Sequence, residues 1–234
     1  MFRVTVSVAA KLLLPVMAAS ALFAPGCGGN NTPAEFDDNP PAAPAQNPDG
    51  VPYPTDNIGT TARAGKLPGK RIENLSFQGY LNSDRAAGLK VISMADFFDP
   101  GAKRYKLIAI QAAATWCTIC MAETRDTVAL QPEYSQKGVV FLQTIINGPT
   151  NGFGPSLLDV EGWMDKHGTN FTVLIDVRGK RSIPLGAQAV PWNARIDPRT
   201  MEILDQGTGI PRNLAEYIDE GLNFVAKAKP SYPL

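Results

Sequence analysis

Three runs of apolar residues without an internal charge stand out in the pattern of the chain, at residues 107–110, 139–146 and 171–175. Such continuity suits a strand covered on both faces, so each run reads as a buried strand. Residues 75–80 instead alternate apolar and polar, as a half-buried strand does. Ser93 before Met94 to Phe98, with Pro100 beyond, predicts a short capped helix. A longer helix is predicted over 121–130, which Pro132 should kink or end. Leu157, Leu158, Val160, Trp163 and Met164 make 155–166 an amphipathic helix closed by His167-Gly168. After Pro191 a strand to Asp197, the turn Asp197-Pro198-Arg199-Thr200 and a second strand over 201–204 predict a hairpin. Pro211 at the first helical position then opens a last helix through Leu214, Tyr217, Ile218, Leu222 and Val225.

The order strand, helix, strand across 107–146 implies that the first two buried strands run parallel. The Gly- and Pro-rich loop 147–155 leaves the carboxyl end of the second of these strands. It is therefore expected at the same sheet edge as the turn that follows the first, lining a groove for a partner.

That turn contains Cys117-Thr118-Ile119-Cys120. Neither Gly nor Pro follows until Pro132, so a helix can begin at the first cysteine. Free backbone N–H groups and the helix dipole then favour thiolate at Cys117, the nucleophile, while Cys120 one turn on can resolve a mixed disulfide. This is thiol-disulfide exchange, and it needs no cofactor. A structural zinc would want two further ligands, whereas the third cysteine is Cys27 and His167 is the one histidine. At the end of a helix, His167 reads most simply as a solvated terminal residue favoured by the dipole.

Residues 1–26 contain no acidic residue, carry Arg3 and Lys11, and run apolar from Leu12 to Ala24. This is a signal segment, too short for a transmembrane span of about 20 residues. It ends in Ala24-Pro25-Gly26-Cys27, which resembles the lipobox of bacterial lipoproteins, with Ala24 where that box usually has Leu. The resemblance implies that Cys27 is acylated and becomes the mature amino terminus, joining the protein to a membrane. With one cysteine for the anchor, the remaining two are left for redox chemistry. Losing Arg3 and Lys11 changes a balance of 22 basic and 22 acidic residues to 20 and 22, and such neutrality offers nothing to nucleic acid. Residues 27–54, rich in Pro, Asn, Ala and Asp, read as a disordered tether ahead of a folded domain over 55–234.

Taken together, Trp116-Cys117-Thr118-Ile119-Cys120 after a buried strand, Glu123 three residues beyond the second cysteine, and Val190-Pro191 before the hairpin resemble the thioredoxin fold. More narrowly they resemble its membrane-tethered TlpA- and ResA-type oxidoreductases, over about residues 70–227. The resemblance implies an α/β, three-layer fold with a central mixed sheet and helices on both faces. It also implies a redox disulfide Cys117-Cys120, Trp116 packed over the pair, a cis Pro191 beside Cys117, the Val190 backbone pairing with a bound strand, and Glu123 modulating proton transfer. Read without the resemblance, Pro191 is an ordinary trans proline and Glu123 a surface carboxylate at the first turn of its helix.

Gln111, which cannot ionise, departs from the family, standing six residues before Cys117 where relatives often carry Asp, Asn or Glu, and Ala112 and Ala113 replace bulky aromatics. The functional reading is an exported, lipid-anchored thiol-disulfide oxidoreductase of the bacterial cell envelope. It faces the periplasm, reduces protein disulfides and draws electrons from a membrane or periplasmic donor. A thiol peroxidase of the peroxiredoxin type shares the fold, but Ala114 and Ile110 occupy the positions of that family's Thr and Pro. A Cu(I) carrier would use Cys117, Cys120 and His167.

Overall fold

The structure is a computed structural model that describes residues 38–55 and 68–227. Cys27, the signal segment and the first part of the predicted tether lie outside the described residues.

Seven strands form one sheet: β1 Ser76–Tyr80, β2 Lys90–Ser93, β3 Leu107–Ala114, β4 Val139–Asn147, β5 Thr172–Ile175, β6 Trp192–Asp197 and β7 Glu202–Thr208. Their order is β2-β1-β5-β4-β3-β6-β7. The apolar runs become β3, β4 and β5, the parallel centre, where both faces are covered. Antiparallel neighbours β1, β2, β6 and β7 complete a mixed sheet. Helices α1 Thr118–Gln136, α2 Leu157–His167 and α4 Leu214–Lys227 pack on the face carrying Leu107, Phe141, Ile145 and Val173. The opposite face, with Ile108, Ile110, Leu142 and Trp192, is covered by the 3-10 turn Met94–Phe97, Leu185 of the short α3 Ser182–Leu185, and Tyr53.

Local chemistry explains most boundaries. Asp96 reaches back to the backbone N–H of Ser93 (2.7 Å), and Asp159 does the same for Ser156 (2.8 Å), so both predicted starts carry a capping box. Gly168 ends α2 in the left-handed conformation at φ 60°. The last helix begins later than Pro211 suggests. Asn213 is its cap, accepting from the Glu216 N–H at 3.2 Å, because its side-chain oxygen can satisfy a free N–H and a proline ring cannot.

Two further expectations are corrected. Pro132 does not end α1, which continues to Gln136. A proline leaves the carbonyl four residues earlier without its helical donor, and here Asn170 Nδ2 donates to that Val128 carbonyl at 3.1 Å. The tether does not extend to Pro54. Tyr53 is buried, donates through its hydroxyl to the Ile72 carbonyl (2.7 Å) and meets Phe98 edge-on at 5.8 Å. Asn47 is buried too and donates to the Phe98 carbonyl at 2.9 Å. Average composition misses this because two anchoring side chains suffice to seat an otherwise polar segment.

Candidate active site

β3 ends at Ala114, and the Cys117 N–H donates to its carbonyl at 3.0 Å, closing the turn that delivers the cysteines to the start of α1. Cys117 is the N-cap of that helix, with its Sγ accepting the Cys120 backbone N–H at 3.1 Å. A sulfur thus takes the place of the usual capping oxygen, facing the positive end of the helix dipole. Cys117 and Cys120 are joined as a disulfide, Cα to Cα 5.2 Å. Cys117 is 5% exposed and Cys120 fully buried, whereas Trp116 and Ile119 beside them are 40% and 52% exposed. Cys117 is thus the less buried of the pair, flanked by two exposed apolar side chains.

The Val190-Pro191 bond is cis, and the Val190 carbonyl lies 3.9 Å from Cys117 Sγ. Pro191 accepts the Gly209 N–H at 2.8 Å, tying this corner to the end of β7. The Thr115 N–H donates to the Asn147 carbonyl at 3.1 Å, so the loop after β4 does begin beside the cysteine turn. Phe153 in that loop is 63% exposed.

Glu123 is no surface carboxylate. It lies on α1 one turn beyond Cys120, fully buried, with Oε1 accepting from Asn193 Nδ2 at 2.7 Å and Oε2 without a partner. Burial pushes its carboxyl up to about 7, against the opposing pull of the Asn193 and Gln111 amides. The inward face of α1 here is Cys120, Glu123, Thr124 and Thr127, polar at all but the cysteine. Both threonines return their hydroxyls to the helix, to the carbonyls of Cys120 (2.8 Å) and Glu123 (2.9 Å).

Gln111, Gln143 and Asn193 lie beneath that face. Sequence reasoning singled out Gln111 only as a group that cannot ionise, and it passed over the other two. The available signal was an uncharged amide inside each of two apolar strands, Gln111 in β3 and Gln143 in β4, whereas Asn193 lies in β6 beside Arg195 and Asp197 and carried none. A cavity of about 20 Å³, room for one water, is lined by these amides together with Thr127 and Tyr217.

His167 does not join the cysteines. Its ring, half-buried, meets that of Trp163 in a tilted contact at 4.3 Å, and burial, then the charges of Lys166 and Arg125, lower its pKa, against the favour that a helix C-terminus gives the cation. Among the described residues no three His, Cys, Asp or Glu side chains are grouped so as to hold a metal.

No protein-family model matches the chain, and a search of curated proteins finds no match. Solved structures do match. The protein of Chlorobium tepidum described as a thiol:disulfide interchange protein DsbE superposes with a TM-score of 0.52 at 17% identity, over 69% of this chain and 99% of that one. This chain has a thioredoxin-like fold. The thioredoxin domain of a thiol-disulfide oxidoreductase from Bacteroides vulgatus gives 0.51 at 12%, over 68% and 100%. The mitochondrial 2-Cys peroxiredoxin of Plasmodium falciparum gives 0.53 at 15%, over 68% and 96%. A fold common to oxidoreductases and a peroxidase leaves the choice of chemistry to the residues of the site.

Proposed function

We propose that this protein is a thiol-disulfide oxidoreductase that reduces disulfides of other proteins through Cys117 and Cys120, exported to the bacterial cell envelope and held there by lipid on Cys27. The observation that carries the reading is the Cys117–Cys120 disulfide at a helix N-cap, with Cys117 the less buried of the two. The buried Glu123 carboxyl, titrating near neutrality one turn further on, supports it.

In the reduced enzyme the Cys117 thiolate attacks one sulfur of a client disulfide, forming a mixed disulfide and expelling a client thiolate, which takes a proton from water. The Cys120 thiol then gives its proton to the Glu123 carboxylate and attacks Cys117 Sγ. This expels the second client thiolate and leaves the Cys117–Cys120 bond. Two electrons have passed to the client, and a membrane or periplasmic donor must restore them. Trp116 and Ile119 offer apolar contact to the client. The Val190 backbone pairs with an extended client segment beside Pro191, and the loop carrying Phe153 borders the same groove.

Equilibration of the Cys117/Cys120 couple in glutathione buffers, read by thiol trapping, tests the reading. A potential near about −270 mV supports a reductant, and one near about −120 mV would reverse the direction. A pair that never oxidises reversibly removes the exchange reaction altogether. Rapid peroxide consumption with Cys117 alone would favour the peroxidase reading. Loss of membrane partitioning in Cys27→Ser tests the anchor.

A further inference from the structure

The register of the sheet sets three carboxamides in one row under α1. Asn193 on β6 stands opposite Gln111 on β3, which stands opposite Gln143 on β4. All three are buried, and the row continues into Trp163 of α2. Its hydrogen bonds have a fixed direction. An indole N–H can only donate, and Trp163 Nε1 donates to Gln143 Oε1 at 2.8 Å. Gln143 must then present its NH₂, which donates to Gln111 Oε1 and to Thr124 Oγ1. With its oxygen engaged, Gln111 has only N–H to offer Glu123, in keeping with its lowering influence on that carboxyl.

From the other side, Asn193 Nδ2 places one N–H on Glu123 Oε1 (2.7 Å) and one on the Gly209 carbonyl (3.0 Å). Both acceptors are oxygens, so the reversed amide would set oxygen against oxygen twice, and its orientation is determined. Gly209 in turn donates its N–H to the Pro191 carbonyl. The Asn193 amide is therefore held between the buried carboxylate and the backbone of the cis-proline corner.

We propose that Asn193, with the directed row Gln111-Gln143-Trp163 beside it, is a positioning residue that sets the protonation of Glu123 by donating a hydrogen bond to its carboxylate. The inference rests on the reading of Glu123 as the proton acceptor of the exchange reaction. Asp126 on its own helix raises Glu123, and Tyr217 on α4 lies close enough for the Glu123 charge to raise its hydroxyl, whereas the cysteines at the start of α1 do not titrate while joined as a disulfide. Its partners on β3 and β6 are amides, which do not titrate. Donors to a carboxylate favour its ionised form, so losing them moves its midpoint upward.

The test is a carbon-13 NMR titration of the Glu123 carboxyl in the oxidised protein, with Glu123→Gln to assign the signal. Asn193→Leu preserves approximate volume and removes the donor, and its midpoint should rise by about one pH unit or more. Asn193→Gln, which returns an amide, should recover part of that shift. Trp163→Phe never touches Glu123 yet removes the N–H that directs the row, and it should raise the midpoint by a smaller amount. Should Asn193→Leu fail to fold, Trp163→Phe carries the test by the same criterion. A folded variant whose midpoint stays at the wild-type value overturns the proposal. Because the titration is read without turnover, it is separate from whether the wild-type protein exchanges disulfides at all.

Discussion

Cys117 Sγ accepts the backbone N–H of Cys120 at 3.1 Å, so the two cysteines are linked by a hydrogen bond as well as by their disulfide. In the reduced protein the same N–H stabilises a Cys117 thiolate, and it offers nothing to the Cys120 sulfur. With Cys120 fully buried, alkylation of the reduced protein at pH 6 should modify Cys117 at least about tenfold faster than Cys120. Mass spectrometry of timed samples checks this. Cys120→Ser should accumulate a mixed disulfide with client, and Cys117→Ser should form none.

Glu123 makes stability depend on pH. Its carboxyl moves from 4.5 up to about 7 on folding, so between those values the native protein holds a proton that the unfolded chain has released. Stability contributed by the protonated group is complete below about 4.5 and is lost as pH rises through about 7, a span worth up to about 3 kcal/mol. Glu123→Gln cannot ionise. Its oxidised form should melt above wild type at pH 8, with the difference shrinking toward pH 5, and thermal melts across that range check the slope.

The interior proline of α1 and the side chain of Asn170 form a pair. Asn170→Ala should leave the Val128 carbonyl without its donor and destabilise the protein by about 1–2 kcal/mol. Pro132→Ala restores a backbone N–H, so in that background the cost of Asn170→Ala should fall markedly. A double-mutant cycle in urea measures the coupling. Equal cost in both backgrounds would show that Asn170 acts elsewhere.

The segment before residue 56 is part of the fold through Tyr53. Tyr53→Ala removes a buried ring and its hydrogen bond to Ile72, and should cost about 3 kcal/mol. A chain beginning at residue 56 should likewise unfold at lower urea than one beginning at residue 38. Matching midpoints would mean that the arm is only laid on the surface.

The sheet was legible wherever burial on both faces left an uninterrupted apolar run, as in β3, β4 and β5. β2 was missed because its first two residues, Lys90 and Val91, are exposed and its short pattern is shared with loops. α1 carries only a weak apolar stripe to read, since Glu123, Thr124 and Thr127 share its buried face with Cys120 and Tyr134. The amides beneath supply partners to Glu123 and Thr124 on that face. Gln143 and Asn193 looked like ordinary polar interruptions of a strand, since nothing local says which residue a neighbouring strand will set opposite.

The sequence by itself determined the exchange chemistry available: two cysteines at helix-turn spacing after a buried strand, and a Val-Pro step before a hairpin. These are local statements, carried by spacing along one chain. The tertiary structure alone decided that Glu123 is buried and unscreened, that Gln111, Gln143 and Asn193 form one row, that His167 belongs to Trp163, and that Tyr53 closes the core. Each of those depends on register and packing between segments far apart in sequence. The energy of a polar group is set by which partners meet it once water has been excluded.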